Sequence, residues 1–556
     1  MTTGKTMAFN RIALLIVLAL TSCASQRAAI SAGELRNHVS WLAADEQEGR
    51  EAGTDAAARS AVYLRRHLDA AGLIPAGDNG TYFQYFDIAA PSLEGASTLM
   101  IGNDVFDVNT LSASPAQTHH AQLVFADADD VEDMIVLAKS DGEIRAEVRE
   151  AAANGAVAIV LASDEFVAFD AVPGKLPIAV VLIDIKLYEK LTLDVFNGKV
   201  NVRLKADVQK QTKRARNVLA LSPGISGEVI TVGAHFDHLG WGGEGSLAPG
   251  TYAVHNGADD NASGTAVLLE LAEMWGANRG GPVVANRGVL FCFWSAEEKG
   301  LLGSDYWVEN PTIPLPRVLA NVNLDMVGRV AESKITVGSA STGDCFGEPL
   351  AVMQAYYAAN EIDFKLNIMK GSLPGGGGSD HMSFHKKSIP AIFFFSGLHS
   401  DYHKPSDDAH KLAYPQMAVL ADGLAEFIAS LQVVADGFEY HKPQAPVDEE
   451  GEVRHVKRAN VWFGSIPDYG AEPLDGGMQL SGTSPGSPAE KAGLLGGDIL
   501  KQVADVEIFD IYDFMDSLST FNNGDTIGVK FLRDGEMKTT QLTFFPRPVG
   551  SAGRPH

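Results

Sequence analysis

Cysteine is scarce in this chain. Three occur in 556 residues, at Cys23, Cys292 and Cys345. That excludes a fold held by a disulfide framework, and no pair has the C-x-x-C spacing of a thiolate zinc site. Basic charge is also in short supply: Lys and Arg number 44 against 70 Asp and Glu, for a formal net charge of -26. A nucleic-acid binder needs a concentrated cationic face, so nucleic acid is excluded as the expected partner. The simplest role of the negative charge is solubility, with attraction of cationic substrates as the alternative. Long apolar runs are missing as well. Beyond residue 22 no stretch reaches the roughly 18 apolar residues of a membrane span.

The N-terminus carries one short apolar segment. Lys5 and Arg11 flank Ile12–Leu20, and Leu20-Thr21-Ser22-Cys23 follows. Residues 1–22 resemble a lipoprotein export signal ending at a bacterial lipobox, with an ordinary cleaved signal as the alternative. The expectation is an exported protein, lipid-anchored through Cys23 to the bacterial cell envelope on the periplasmic or outer-membrane side. Cys292 and Cys345 could pair in such a compartment. However, Cys292 lies in the apolar run VLFCFW and is expected to pack in a core.

Periodicity divides the rest. ELRNHVSWLAA and AARSAVYLRRHLDAAG have helical spacing, with Gly72 as a C-cap. Residues 114–208 alternate short β-rich runs with a helix around Ile144 to Asn154, as a small α/β insert would. From about Arg216 to Val434 apolar strands alternate with helices, which predicts a mostly parallel sheet covered on both faces. Residues 434–455 read as a polar linker. Residues 456–547 restart with short strands and a helix at Ser487–Ala492.

Five segments carry chemistry: VGAHFDHLG, NGADDNASGTA, FWSAEEKGLLGS, NVNLDMVGR and SDYHKPSDD. They supply His235, Asp237, Asp260, Glu297, Glu298, Asp325 and His403. Most fall at or just after the end of an apolar strand, where open α/β sheets form their ligand crevice. Imidazoles and carboxylates together are a ligand set for paired divalent cations. Asp237 is placed to hold the far ring nitrogen of His235. The adjacent Glu297 and Glu298 can divide metal binding from proton transfer.

In combination these segments resemble the bizinc aminopeptidase family of secreted bacterial leucyl aminopeptidases, with glutamate carboxypeptidases and glutaminyl cyclases as distant relatives. The resemblance implies an α/β, phosphorylase/hydrolase-like three-layer sandwich with a mostly parallel mixed sheet, from residues 27–113 and 209–433. It implies two zinc ions per chain. His235 and Asp325 would bind one, Glu298 and His403 the other, and Asp260 would bridge them. Asp260 is preferred to Asp259 by motif alignment alone. Glu297 would be the general base and Asp237 the partner of His235. Asp380 and His381, in GGGGSDHMSF, would lie behind the ligands. Some family members carry a tyrosine just upstream of S-D-H that polarises the substrate carbonyl. Here Gly375 to Gly378 fill that stretch, which leaves the oxyanion side chain unassigned.

The insert, 114–208, resembles a protease-associated domain at GEIRAEVREAAANGAVAIVLAS. Residues 456–547 resemble a β-rich PDZ domain at SGTSPGSPAEKAGLLGGDILKQV, with Phe463 to Ile466 as the candidate carboxylate-cradling loop and a C-terminal peptide as the implied ligand. The implied function is a zinc exopeptidase acting on peptides with a free N-terminus. A metallo-carboxypeptidase or dipeptidase of the same fold, or a non-catalytic PDZ-containing adaptor, are the alternatives. No arginine cluster near the motifs favours a carboxypeptidase, and the intact ligand set disfavours a cyclase or an adaptor.

Overall fold

The structure is a computed structural model of the chain. It describes residues 29–92, 97–128, 130–140, 144–163, 176–243, 245–248, 251–276, 285–369, 378–442, 459–468, 476–484 and 486–546. The expected signal segment with Cys23, most of the linker, and Gly375 to Gly377 lie outside the described residues.

A nine-stranded mixed sheet organises the larger domain. Its middle is four parallel strands, in spatial order Gly288–Trp294, Val229–His235, Val318–Leu324 and Ala391–Phe395. Gln209–Ser222 joins one side antiparallel, and Lys334–Gly338 joins the other antiparallel. The strand Gly288–Trp294 shows why the sheet must be covered twice, since all its residues are buried. Side chains alternate between faces along a strand. Accordingly Val289, Phe291 and Phe293 enter one core with the helices Ala32–Leu42, Asp55–Ala71, Gly264–Trp275 and Tyr414–Leu431. Leu290, Cys292 and Trp294 enter the opposite core with Trp307 and Phe384. The three layers and the mostly parallel sheet are those the sequence predicts. Cys292 and Cys345 are buried free thiols in different cores, so the pairing considered above does not form.

The two N-terminal helices occupy the expected segments. Gly72 ends the second in the left-handed region at φ 79°, as a C-cap glycine should. Between them Asp45–Arg50 is a short 3-10 turn.

The insert is a closed barrel of seven strands. Its boundary differs from the expected residue 114. The barrel already includes the hairpin Ser97–Ile101 and Asp104–Thr110, which pairs with Val200–Ala206 and Ala179–Ile183. Four of the first six residues of Asp104–Thr110 are exposed, so the strand has no buried apolar run to mark it. The helix Ile144–Ala153 feeds the buried strand Ala158–Ala162 through Gly155, as expected. The barrel joins the main sheet through a long antiparallel ribbon, Phe83–Ser92 against Gln209–Ser222, with Ser92 opposite Gln209 and Phe83 opposite Val218.

The C-terminal domain is a six-stranded sheet with two helices, Pro488–Lys491 and Ile511–Leu518, around its own core. Ser487 caps the first helix through Glu490 N–H. Gly464 is required by packing: at φ 81° a Cβ there would stand 2.1 Å from Ser487 Cβ. This domain approaches the larger one at residues 397–404. A Cβ on Gly482 would be 4.0 Å from Ser400 Cβ. No helix among the described residues is long and apolar enough to cross a membrane.

Candidate metal centre

The parallel strands deliver their side chains to one edge. His235 is the last residue of Val229–His235, Asp325 directly follows Val318–Leu324, and Glu297 and Glu298 follow Gly288–Trp294. His403 lies in the loop after Ala391–Phe395. Asp260 sits in a π-helical turn, Ala258–Ser263, that opens the helix Gly264–Trp275. The expected set therefore converges from five segments.

Its geometry resolves into two groups sharing one residue. His235, Asp260 and Asp325 place their ligand atoms within 4.8 Å of one another. His235 Nε2 is 3.2 Å from Asp325 Oδ1 and 3.4 Å from Asp260 Oδ1. On the other side, His403 Nε2 is 3.1 Å from Asp260 Oδ2 and 3.2 Å from Glu298 Oε2. Asp260 thus turns one oxygen to each histidine. Asp259 points elsewhere: its Oδ1 accepts Gly328 N–H at 2.7 Å, and its Oδ2 is 3.2 Å from His399 Nε2. Of these two neighbours, Asp260 is the one that faces both His235 and His403.

Each histidine has its far nitrogen engaged. His403 Nδ1–H donates to Gly245 O at 2.7 Å, and His235 Nδ1–H donates to Asp237 O at 3.2 Å. This leaves both Nε2 lone pairs facing the carboxylates, as ligation requires. The partner of His235 is thus the backbone oxygen of Asp237, and its carboxylate is farther, at 3.8 Å. Asp237 Oδ1 instead accepts the Glu297 N–H at 3.1 Å and so fixes the backbone of the proposed base. His238 was not among the expected ligands. Its Nδ1 is 2.8 Å from Glu298 Oε1, and it forms a second three-residue group with Asp260 and Glu298. Two nitrogens and three carboxylates in adjoining groups fit a pair of divalent cations of zinc type.

Asp380 and His381 are buried, and neither contributes to the two groups. His381 stacks on Phe393, and burial lowers its imidazole to about 3. Burial raises the Asp380 carboxyl to about 7, and the charges of His235, Asp325 and Asp237 also act on it.

Burial and mutual repulsion set the other protonation states. Glu297 is pushed well above the carboxylate range by burial and by Glu298, Asp325 and Asp380, against the pull of His235. Burial acts to raise Glu298 too, but His403 and His238 hold it well below. The adjacent glutamates therefore have opposite tendencies, one to hold a proton and one to stay charged.

Two side chains at the site escaped the sequence reading. Tyr402, next to His403 in SDYHKP, stacks on the His403 ring at 3.9 Å. Burial, then the charges of Asp260, Glu298, Glu297 and Asp325, push its phenol well above the usual value, so it stays a donor. Its adjacency to the histidine was the available signal. The other is Arg50, considered below.

Residues 217–428 match the model of peptidase family M28, and residues 472–544 match that of a PDZ domain. Residues 217–428 thus resemble an M28 peptidase domain. The chain is 31% identical over 202 residues to aminopeptidase YwaD of Bacillus subtilis, covering 35% of this chain and 39% of that protein. It is 33% identical over 181 residues to a probable lipoprotein aminopeptidase, LpqL, of Mycobacterium tuberculosis, covering 32% of each. The match thus spans less than half the length of these relatives. A solved structure of BSAP, a zinc aminopeptidase from Bacillus subtilis, aligns at 23% identity with a TM-score of 0.45, covering 72% of this chain and 94% of that one.

Within the matched region the loops that carry the candidate ligands are braced from behind. Asp407 is fully buried, and its Oδ2 accepts the N–H groups of Asp259 and Asp260 at 2.8 and 3.1 Å. Arg329 ties Asp407 to Asp401, so the segment that carries His403 also holds the turn that carries Asp260.

Arg50 closes the other side. It lies outside the matched residues, in the loop between the N-terminal helices, yet it is fully buried. Its guanidinium donates to Phe236 O at 2.8 Å, Leu42 O and Asn256 O at 2.7 Å, and Gly257 O at 2.9 Å. One side chain thereby joins the His235–Asp237 strand end to the approach to Asp260. Burial lowers its pKa to about 10, opposed by Asp237, Asp260, Asp407 and Glu298, so it remains charged. Arg50→Met would leave four carbonyls without this donor and remove a buried cation beside the carboxylates. The expected loss is about 3 kcal/mol or more in denaturant unfolding. A change within about 0.5 kcal/mol, typical of a surface site, would show that the clamp contributes nothing.

Proposed function

We propose that the chain is a zinc-dependent aminopeptidase that removes the N-terminal residue of peptides. The observation that carries this is the pair of ligand groups sharing Asp260, with Glu297 beside them and in neither. His235 and Asp325 would hold one ion, Glu298 and His403 the other, with Asp260 between. His238 would act as a hydrogen-bond donor to Glu298. Two bound zinc ions supply Lewis acidity and make hydroxide accessible near neutral pH.

The chain's own groups then have defined tasks. Glu297 accepts the proton of the attacking water and returns it to the leaving nitrogen as the C–N bond breaks. The Tyr402 phenol, held protonated beside the carboxylates, donates to the oxyanion that forms as water adds to the carbonyl. The surrounding carboxylates attract a free α-amino group. Arg50 and Arg329, which contact the ligand-bearing loops, are engaged with carbonyls and aspartates, so neither is free to receive a substrate carboxylate. This favours an aminopeptidase over a carboxypeptidase. We further propose export and lipid anchoring through Cys23, motivated by the LTSC segment, and binding of a peptide C-terminus by the PDZ domain.

Glu297→Gln should lower kcat by at least about 100-fold, within the usual range for general acid–base catalysis, while both zinc ions stay bound. Loss of metal together with activity would show that Glu297 is a ligand instead.

Acetylating the N-terminus of a good substrate should remove most turnover. Equal rates on free and blocked peptides would reject the aminopeptidase reading.

Tyr402→Phe should cost about 10²–10³ in kcat, the range seen for an oxyanion donor, with little change in KM. A change confined to KM would place the phenol on ground-state binding.

A further inference from the structure

A second cluster of metal-ligating side chains lies among the helices, sharing no residue with the centre described above. His38 comes from the helix Ala32–Leu42, His67 from Asp55–Ala71, and Glu270 and Glu273 from Gly264–Trp275. The two glutamates are three residues apart and so face the same side of their helix. A ring nitrogen of each histidine and a carboxylate oxygen of Glu273 lie within 4.8 Å of one another. His38 Nε2 is 3.1 Å from Glu270 Oε1, and His67 Nδ1 is 2.8 Å from Glu273 Oε1. We propose that His38, His67 and Glu273, with Glu270 beside them, bind one further divalent cation of zinc type.

Three observations support a cation over two separate ion pairs. His38 is arranged as metal-binding histidines are, with its far nitrogen, Nδ1, held by the Tyr63 hydroxyl at 2.6 Å. Tyr63 is itself fixed by stacking on Trp41 at 3.9 Å. Next, Glu270 and Glu273 are both 5% exposed, and buried carboxylates are costly without compensating charge. A divalent ion with two neutral imidazoles balances two carboxylates without requiring two protonated histidines. Finally, the His67 side chain is 33% exposed, which gives an ion a route from solvent. Small side-chain rotations would bring the donors to the separations of tetrahedral zinc ligands. An ion here would fasten both N-terminal helices to the helix that follows Asp260.

Zinc content of the full chain tests this. In a His235→Ala/His403→Ala variant, dialysed and analysed for metal, one zinc per chain should remain. Added zinc should raise its thermal midpoint by several degrees. Introducing His67→Ala as well should remove both the ion and the rise. No zinc in the double variant, or zinc unaffected by His67→Ala, overturns the proposal. Should the double variant fail to fold, His67→Ala in the otherwise native chain should lower zinc by one equivalent while a small aminoacyl-anilide is still hydrolysed. Equal zinc content in that variant and the native chain overturns it.

Discussion

Asp237, Asp259, Asp260, Asp380 and Asp407 are each no more than 3% exposed, and Glu297 and Glu298 join them at the same sheet edge. Charges taken out of water this way must be compensated or neutralised. Much of the surrounding architecture answers that demand. Histidines face Asp260, Asp325 and Glu298, Arg50 supplies a permanent buried cation, and Arg329 neutralises Asp401 and Asp407. Glu297, Asp237, Asp380 and Asp407, where burial outweighs that compensation, are the groups whose pKa values rise. The uneven compensation gives chemically similar carboxylates different tendencies to hold a proton.

Rigidity follows from the same groups. Asp407 binds the turn of Asp260 while its own segment carries His403, and Arg50 binds the strand end of His235 and the chain leading to Asp260. Each ligand loop is therefore fixed through a neighbouring ligand loop. A centre assembled from distant segments gains the precision of a single element, which is what positioned catalysis needs.

The sequence made the candidate ligands readable because strand ends are easy to find. His235 and Asp325 stand at the ends of continuous apolar runs, and Glu297 and Glu298 follow another. Choosing Asp260 over Asp259 needed motif alignment, because only the turn geometry separates two adjacent aspartates. Arg50 was hidden for a physical reason: an arginine in a polar loop, DEQEGREAGT, reads as solvated surface until its four carbonyl partners arrive from remote segments. The carboxylate of Asp237 was assigned to His235, whereas the backbone oxygen makes that bond, a distinction no side-chain pattern carries. The barrel boundary was misplaced because the largely exposed strand Asp104–Thr110 lacks an apolar signature.

The ribbon that carries the barrel has a consequence for how the nine-stranded sheet assembles. Phe83 and Val218 are paired across an interval occupied almost wholly by the barrel. Closing so long a loop in an unfolded chain is entropically unfavourable and slow, although the cost grows only logarithmically with length. Once the barrel has folded, its first strand, Ser97–Ile101, lies antiparallel to its last, Val200–Ala206. The two arms then leave side by side, already in register, and zip toward the sheet as a hairpin would. An interruption in sequence thus becomes, in kinetic terms, a local turn.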